Sequence, residues 1–166
     1  MKKLLLSILI LSGTFLIISA QNKSNKMFDT FSGKDGISNF SFSKNMIDAI
    51  DIDLGDDDEK NVTGDLHQIR FMSYNPKKGN LGGTEFTERA IKLLPSQYKK
   101  YYDEDSEDSD AIIYLLGGKK KFSECIVFIT NESDNQLRFV VSFSGEFTVN
   151  DLEGLKKTGK GFSNED

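Results

Sequence analysis

An α+β domain is predicted, built on a sheet of about five strands, mixed or antiparallel, with helices packed on one face and a three-stranded meander at its C-terminal end. Three observations predict it. From Met27 to Tyr102, segments with the helical period of apolar residues alternate with segments of period two. Ala111 to Leu116, Glu124 to Thr130 and Gln136 to Ser144 then follow one another through connectors too short for crossover helices, which leaves antiparallel pairing. In the last of these segments Leu137, Phe139, Val141 and Phe143 alternate with Arg138, Ser142 and Ser144, the pattern of one packed and one wet face.

Each element has its own warrant. Met27, Phe28 and Phe31 stand at i, i+1 and i+4, a short amphipathic helix stopped by the glycines at 33 and 36. Ile37 to Phe42 alternates, with Phe40 and Phe42 on one face and Asn39 and Ser41 on the other, so a half-buried strand follows. Ser43 then caps a helix whose stripe is Met46, Ile47 and Ile50. Leu66 to Tyr74 returns to alternation, His67, Ile69 and Phe71 sharing a face, before Asn75-Pro76 and a glycine-rich loop through Gly83 end the strand. Thr84 occupies an N-cap position ahead of Phe86, Ala90, Leu93 and Leu94, with Glu85 and Glu88 in the first turn where the helix dipole favours them. Pro95 ends that helix, and Ser96 to Tyr102 is expected to restart as a short helical stripe of Tyr98, Tyr101 and Tyr102. After the meander, Val149 to Leu155 reads as a last helix starting near Asn150 or Asp151.

The N-terminus carries a targeting signal. Lys2 and Lys3 precede an apolar stretch from Leu4 to Ile18, and Ser19-Ala20 offers a small-residue cleavage site, so residues 1–20 are expected to be a secretory signal peptide. The stretch is shorter than the roughly 20 apolar residues that a membrane-spanning helix needs. A lipid anchor would require a cysteine right after it, and the single cysteine is Cys125. The expected product is one domain, residues 21–157, with a polar disordered tail at 158–166, exported to the periplasm or secreted, neither a lipoprotein nor stably inserted in a membrane.

Charge and cysteine count exclude further classes. The chain has a net charge of −5, and loss of Lys2 and Lys3 with the leader takes it to −7, which disfavours nucleic acid as a partner. One cysteine cannot form an internal disulfide, so in an oxidising compartment the fold must rest on its core.

A family resemblance is carried by Phe28 to Ile37 (FDTFSGKDGI), Phe42 to Met46 (FSKNM), Tyr98 with Tyr101, and Val141 to Gly145 (VSFSG) followed by Leu152 and Leu155. In their order and spacing these resemble the domain-of-unknown-function family 4252, over nearly all of the chain beyond the leader. The resemblance implies a small exported protein of Bacteroidota with no established activity. The chain departs from the family pattern in its acidic segment 103 to 110.

No catalytic constellation stands out. The one histidine, His67, shares its expected strand face with Ile69 and Phe71, which favours a partly buried structural role over that of a base. Cys125 alternates with Val127 and Ile129 and reads as an inert buried thiol. Between Asp48 and Glu59 seven of twelve residues are acidic. Asp51, Asp53, Asp56, Asp58 and Glu59 are the candidate metal ligands, hard oxygen donors that suit calcium. The helix-loop-helix calcium motif fails there, because placing Gly55 at its sixth position puts Ile50, Ile52 and Leu54 at positions that need side-chain oxygens. A solvated loop is the favoured reading, and no cofactor is expected. Gly79 to Gly83 lacks the P-loop spacing and reads as a flexible loop, and Lys119 to Lys121 as a hairpin turn.

The expectation is therefore a non-enzymatic binding or interaction module of the cell envelope, whose partner is an envelope or extracellular protein or ligand. Sheet-edge addition through strands 37–42 or 137–143 is one mode. Two alternatives remain at this point: a carboxylate-dependent hydrolase of glycans or peptides, and a calcium-dependent adhesion or structural protein.

Overall fold

The computed structural model describes residues 23–50, 65–102, 111–130 and 133–161. The expected leader at 1–20, the acidic candidates Asp51, Asp53, Asp56, Asp58 and Glu59, the acidic run 103–110 and the end of the expected tail lie outside the described residues. The elements are α1 (Asn25–Phe31), β1 (Ile37–Ser43), α2 (Lys44–Ile50), β2 (Asp65–Tyr74), α3 (Gly83–Lys92), β3 (Lys99–Tyr101), β4 (Ala111–Gly117), β5 (Phe122–Ile129), β6 (Arg138–Phe147) and α4 (Leu152–Gly161), with a 3-10 turn at Val149–Asp151 leading into α4. No helix among the described residues is long and apolar enough to cross a membrane.

The six strands form one sheet in the order β1-β2-β6-β5-β4-β3, and every neighbouring pair is antiparallel. The α+β class and the β4-β5-β6 meander are as the sequence predicts. The sixth strand is β3, in the place expected for a restarted helix: after Pro95 the chain turns once, Tyr98 N–H donating to the Pro95 carbonyl, and pairs Lys99, Lys100 and Tyr101 with Leu115, Tyr114 and Ile113. Three residues are too few for period two to show, so only the neighbouring strand reveals them. The expected edge position of β1 holds. That of 137–143 does not, because β6 lies between β2 and β5 in the middle of the sheet.

Helices cover both faces of the sheet rather than one. On the first face Ile69, Phe71, Cys125, Val127, Val141 and Phe143 pack with Ile47 of α2 and Leu152 and Leu155 of α4. On the second, Met72, Tyr74, Ile126, Phe128 and Val140 pack with Met27, Phe28 and Phe31 of α1 and Phe86 and Ala90 of α3. The expected wet face of β6 is therefore buried, Ser142 and Ser144 included. A small hydroxyl can leave water when a partner waits for it, and Ser142 has one in Glu124, as described below.

Local chemistry places the helices. Arg70 of β2 lies 4.2 Å from the Phe28 ring centre, donates to Asn25 Oδ1 at 2.5 Å and stands 3.7 Å from Asp29, which pins α1 to the sheet. Helix α3 begins one residue before the expected cap: Gly82 is its N-cap, and Thr84 N–H donates instead to Asp134 Oδ1 at 2.6 Å, a carboxylate supplied by the β5–β6 connection. Thr148 and Asp151 form a reciprocal capping box ahead of α4. Helix α4 runs to Gly161 and so takes in the first residues of the expected disordered tail, with Gly159 packed on Val127.

Candidate functional site

A pocket of about 630 Å³ opens between the end of α1, the start of β1 and the last turn of α3. Phe31, Ile37, Tyr74, Leu81 and Leu93 give it apolar walls, and Lys34, Arg89 and Lys92 stand among its polar lining with Asp35, Thr30 and Asn80. The volume lies in the range that holds small organic ligands.

The walls are set by packing. Tyr74 stacks on Phe86 with ring centres 4.5 Å apart, and Phe86 meets Phe31 edge-on at 5.0 Å. The Tyr74 hydroxyl is held from both sides, donating to the Leu81 carbonyl at 2.7 Å and accepting from Leu81 N–H at 2.8 Å. Gly79 lies so close to the Tyr74 ring that a Cβ there would collide with it. Gly36, at φ 78°, packs against the backbone of Asn75 and Gly79. The glycine-rich loop read as flexible is thus a fitted wall: its glycines allow a backbone to approach an aromatic ring and another backbone.

Three cations reach the pocket from two sides. Lys34 follows α1 and lies 5.2 Å from the Phe31 ring centre. Arg89 and Lys92 belong to the last turn of α3, where they also balance the negative helix end, and one turn back Glu85 and Glu88 sit 2.6 Å and 3.9 Å from them. Among the lining residues the only carboxylate is Asp35, and there is no serine, cysteine or histidine.

The same face of the sheet carries a buried polar cluster that sequence reading passed over. Glu124 of β5 is 2% exposed and accepts three hydroxyls: Ser24 and Ser142 (2.6 Å) at Oε1, and Tyr98 (2.5 Å) at Oε2. Ser144 lies opposite Glu124 in the sheet, and its buried Oγ has no hydrogen-bond partner. Burial, followed by the bond to Glu124, pushes the Tyr98 phenol well above its ordinary value, so Tyr98 stays a donor. A signal for Glu124 existed. It alternates with Ile126 and Phe128 in a run apolar on both parities, the pattern of a strand buried on both faces.

The residues singled out from sequence do not converge on the pocket. His67 occupies the irregularity between Leu66 and Gln68, where the ladder shifts register, and its side chain is 57% exposed, 4.0 Å from Asp65. The extra residue turns His67 out and brings Leu66 onto the face of Ile69, which overturns the expectation of a partly buried histidine. Cys125 is buried as expected, and burial pushes its thiol well above the ordinary range. Asp48, at the described end of the first acidic run, is exposed and 3.5 Å from Lys44, which Asp65 also meets at 3.0 Å. Among the described residues no group of three or more His, Cys, Asp or Glu could hold a metal ion.

These features define a single-sheet α+β domain with helices on both faces and a fitted pocket between α1, β1 and α3. The chain belongs to the family described as domain of unknown function (DUF4252), whose model matches residues 28–155, from within α1 to within α4, and so takes in the pocket and, apart from Ser24, the Glu124 cluster. No curated protein and no solved structure matches the chain.

Proposed function

We propose that this is an exported, non-enzymatic binding protein of the cell envelope and that the pocket between α1, β1 and α3 is its ligand site. The observation that carries the reading is a preformed cavity of about 630 Å³, with apolar and polar lining, whose walls are locked by Tyr74, Gly36 and Gly79. A cavity already shaped before binding spares the ligand the cost of ordering it. Its lining favours binding over hydrolysis, since a single carboxylate, Asp35, cannot supply the acid and base that glycan hydrolysis needs. Export rests on the basic, apolar and small-residue order of residues 1–20.

The test is substitution of Gly79 by alanine, whose methyl group collides with the Tyr74 ring of the pocket wall, together with native mass spectrometry of both forms purified from envelope fractions. A small molecule carried by the natural form and absent from Gly79→Ala is expected. A ligand retained equally by both forms would place the site elsewhere. N-terminal sequencing of the same material is expected to begin at Gln21, and an intact Met1 would remove the export reading.

A second reading is favoured by β1. It is an edge strand of seven residues without charge or proline, and Phe40 on it is 58% exposed. Asn75 N–H donates to the directly opposite Gly36 carbonyl, so alternate positions Ser38 and Phe40 turn their backbone groups toward β2, and Asn39 and Ser41 turn theirs outward. An extended segment of a partner could add there as a seventh strand. Asn39→Pro removes one outward N–H without touching the ladder to β2. Loss of a co-purifying protein from that variant supports strand addition, and its full retention rejects it.

A further inference from the structure

We infer that the ligand of this pocket is an amphiphile with a single anionic head, a carboxylate or a phosphate monoester, on an apolar body. The inference rests on the pocket being a ligand site and names what that site takes. The chain as a whole is acidic, with a net charge of −5, yet at this cavity three cations meet one carboxylate, a local reversal of sign. The cations share the lining with Phe31, Ile37, Tyr74, Leu81 and Leu93, and the two together match a molecule charged at one end and apolar along the rest. A neutral apolar ligand would draw nothing from Lys34, Arg89 and Lys92, and a small free anion would leave Phe31, Ile37 and Leu93 uncovered.

Geometry orients the ligand. Lys34 comes from the turn after α1, while Arg89 and Lys92 come from α3, so the head is approached from two elements rather than along one helix face. Glu85 and Glu88 compete for Arg89 and Lys92 from the neighbouring turn, and Asp35 competes within the pocket itself. A full negative charge displaces such exposed partners at little cost, because exposed ion pairs contribute little to stability. A merely dipolar head lacks that advantage. The apolar body then lies over Phe31, Ile37, Tyr74 and Leu93 in a cavity of the size that holds small organic ligands.

The experiment is an amide chemical-shift titration of the purified protein with decanoate, decyl phosphate, decyltrimethylammonium and acetate. Decanoate and decyl phosphate are expected to shift amides between 30 and 37 and between 79 and 93, with decyltrimethylammonium about tenfold weaker and acetate without effect. Which of the two anionic probes binds more tightly separates a carboxylate head from a phosphate head. The double variant Lys34→Glu with Lys92→Glu is expected to weaken decanoate about tenfold and not weaken the cationic probe, while Lys120→Glu in the β4–β5 turn changes neither. Equal or tighter binding of the cationic probe at the pocket would overturn the anionic inference and leave the pocket reading intact. Failure of every alkyl probe to shift the pocket amides would overturn both.

Discussion

On the face covered by α2 and α4 the buried side chains of the sheet are apolar, Ile69, Phe71, Val127, Val141 and Phe143 among them. On the face covered by α1 and α3 the same strands present Glu124, Ser142, Ser144 and Arg138 between Met72, Ile126, Phe128 and Val140. Both faces are buried. Both are held by apolar area removed from water, and the second also encloses a polar cluster in which Glu124 satisfies Ser24, Tyr98 and Ser142 while the Ser144 hydroxyl has no partner among the described residues. Polarity in these strands therefore did not mark exposure. The pocket also lies on the second face, where α1 and α3 leave a corner between them.

The contrast can be broken most sharply on the apolar face. Phe143→Ala removes a fully buried ring from the centre of the sheet and is expected to cost about 4 kcal/mol in urea denaturation, by lost transfer energy and the cavity left behind. A cost under about 1 kcal/mol would mean that this face is less tightly packed than described.

On the polar face, Glu124→Ala strands the hydroxyls of Ser24, Ser142 and Tyr98. At about 1 kcal/mol for each unsatisfied group the expected loss is about 3 kcal/mol. The comparison is sharpened by combining Ser24→Ala, Glu124→Met, Ser142→Ala and Tyr98→Phe. Replacing all partners together removes the unsatisfied groups, so most of the stability is expected to return. If the combined variant is as unstable as the single one, the cluster contributes through packing rather than through satisfied polarity.

Alkaline titration gives a smaller effect with a definite sign. The folded Tyr98 phenol lies above its ordinary 10.0 and the folded Cys125 thiol above its ordinary 9.0, in both cases first through burial. The unfolded chain releases these protons at lower pH, so stability is fully present below about pH 9 and falls as pH rises beyond it. Equilibrium denaturation from pH 8 to 11 is expected to show that slope, and Tyr98→Phe to flatten part of it. An unchanged slope in Tyr98→Phe would place the phenol in water.

The smallest effect belongs to the tertiary cap. The Thr84 amide holds the Asp134 carboxyl below its ordinary 3.8, so this contribution is present above about pH 4 and is lost as pH falls through the folded value. Asp134→Ala is expected to lower the thermal midpoint slightly at neutral pH, with the difference vanishing in acid. A gap that persists at pH 2 would show that the side chain acts by some route other than its charge.

Much of the chain was legible in one dimension. Met27, Phe28 and Phe31 announce α1, Phe40 with Phe42 announces β1, and Leu137 to Phe143 announces β6, because helical and strand periods are local properties of the backbone. Cys125 was placed correctly by its alternation with Val127 and Ile129. His67 was misplaced because one extra residue in β2 inverts the parity of everything before it, and parity inversion has no local mark. β3 was hidden by its length. Asp134 could not be recognised as a cap for α3, fifty residues earlier in the chain, because the loop and the helix meet only after β6 has entered the sheet beside β2.

By itself the sequence determined the α+β class, the order of the longer elements, the antiparallel meander and an acidic, single-cysteine chain that resembles its family, since each follows from composition or from contacts between neighbours in sequence. Tertiary structure alone decided that both faces of the sheet are covered, that Glu124 is buried among hydroxyls, and that Lys34, Arg89 and Lys92 line one pocket with Phe31, Ile37 and Leu93. These depend on which strand lies beside which and on which face each helix crosses, choices made by long-range packing that leave no periodic trace in the chain.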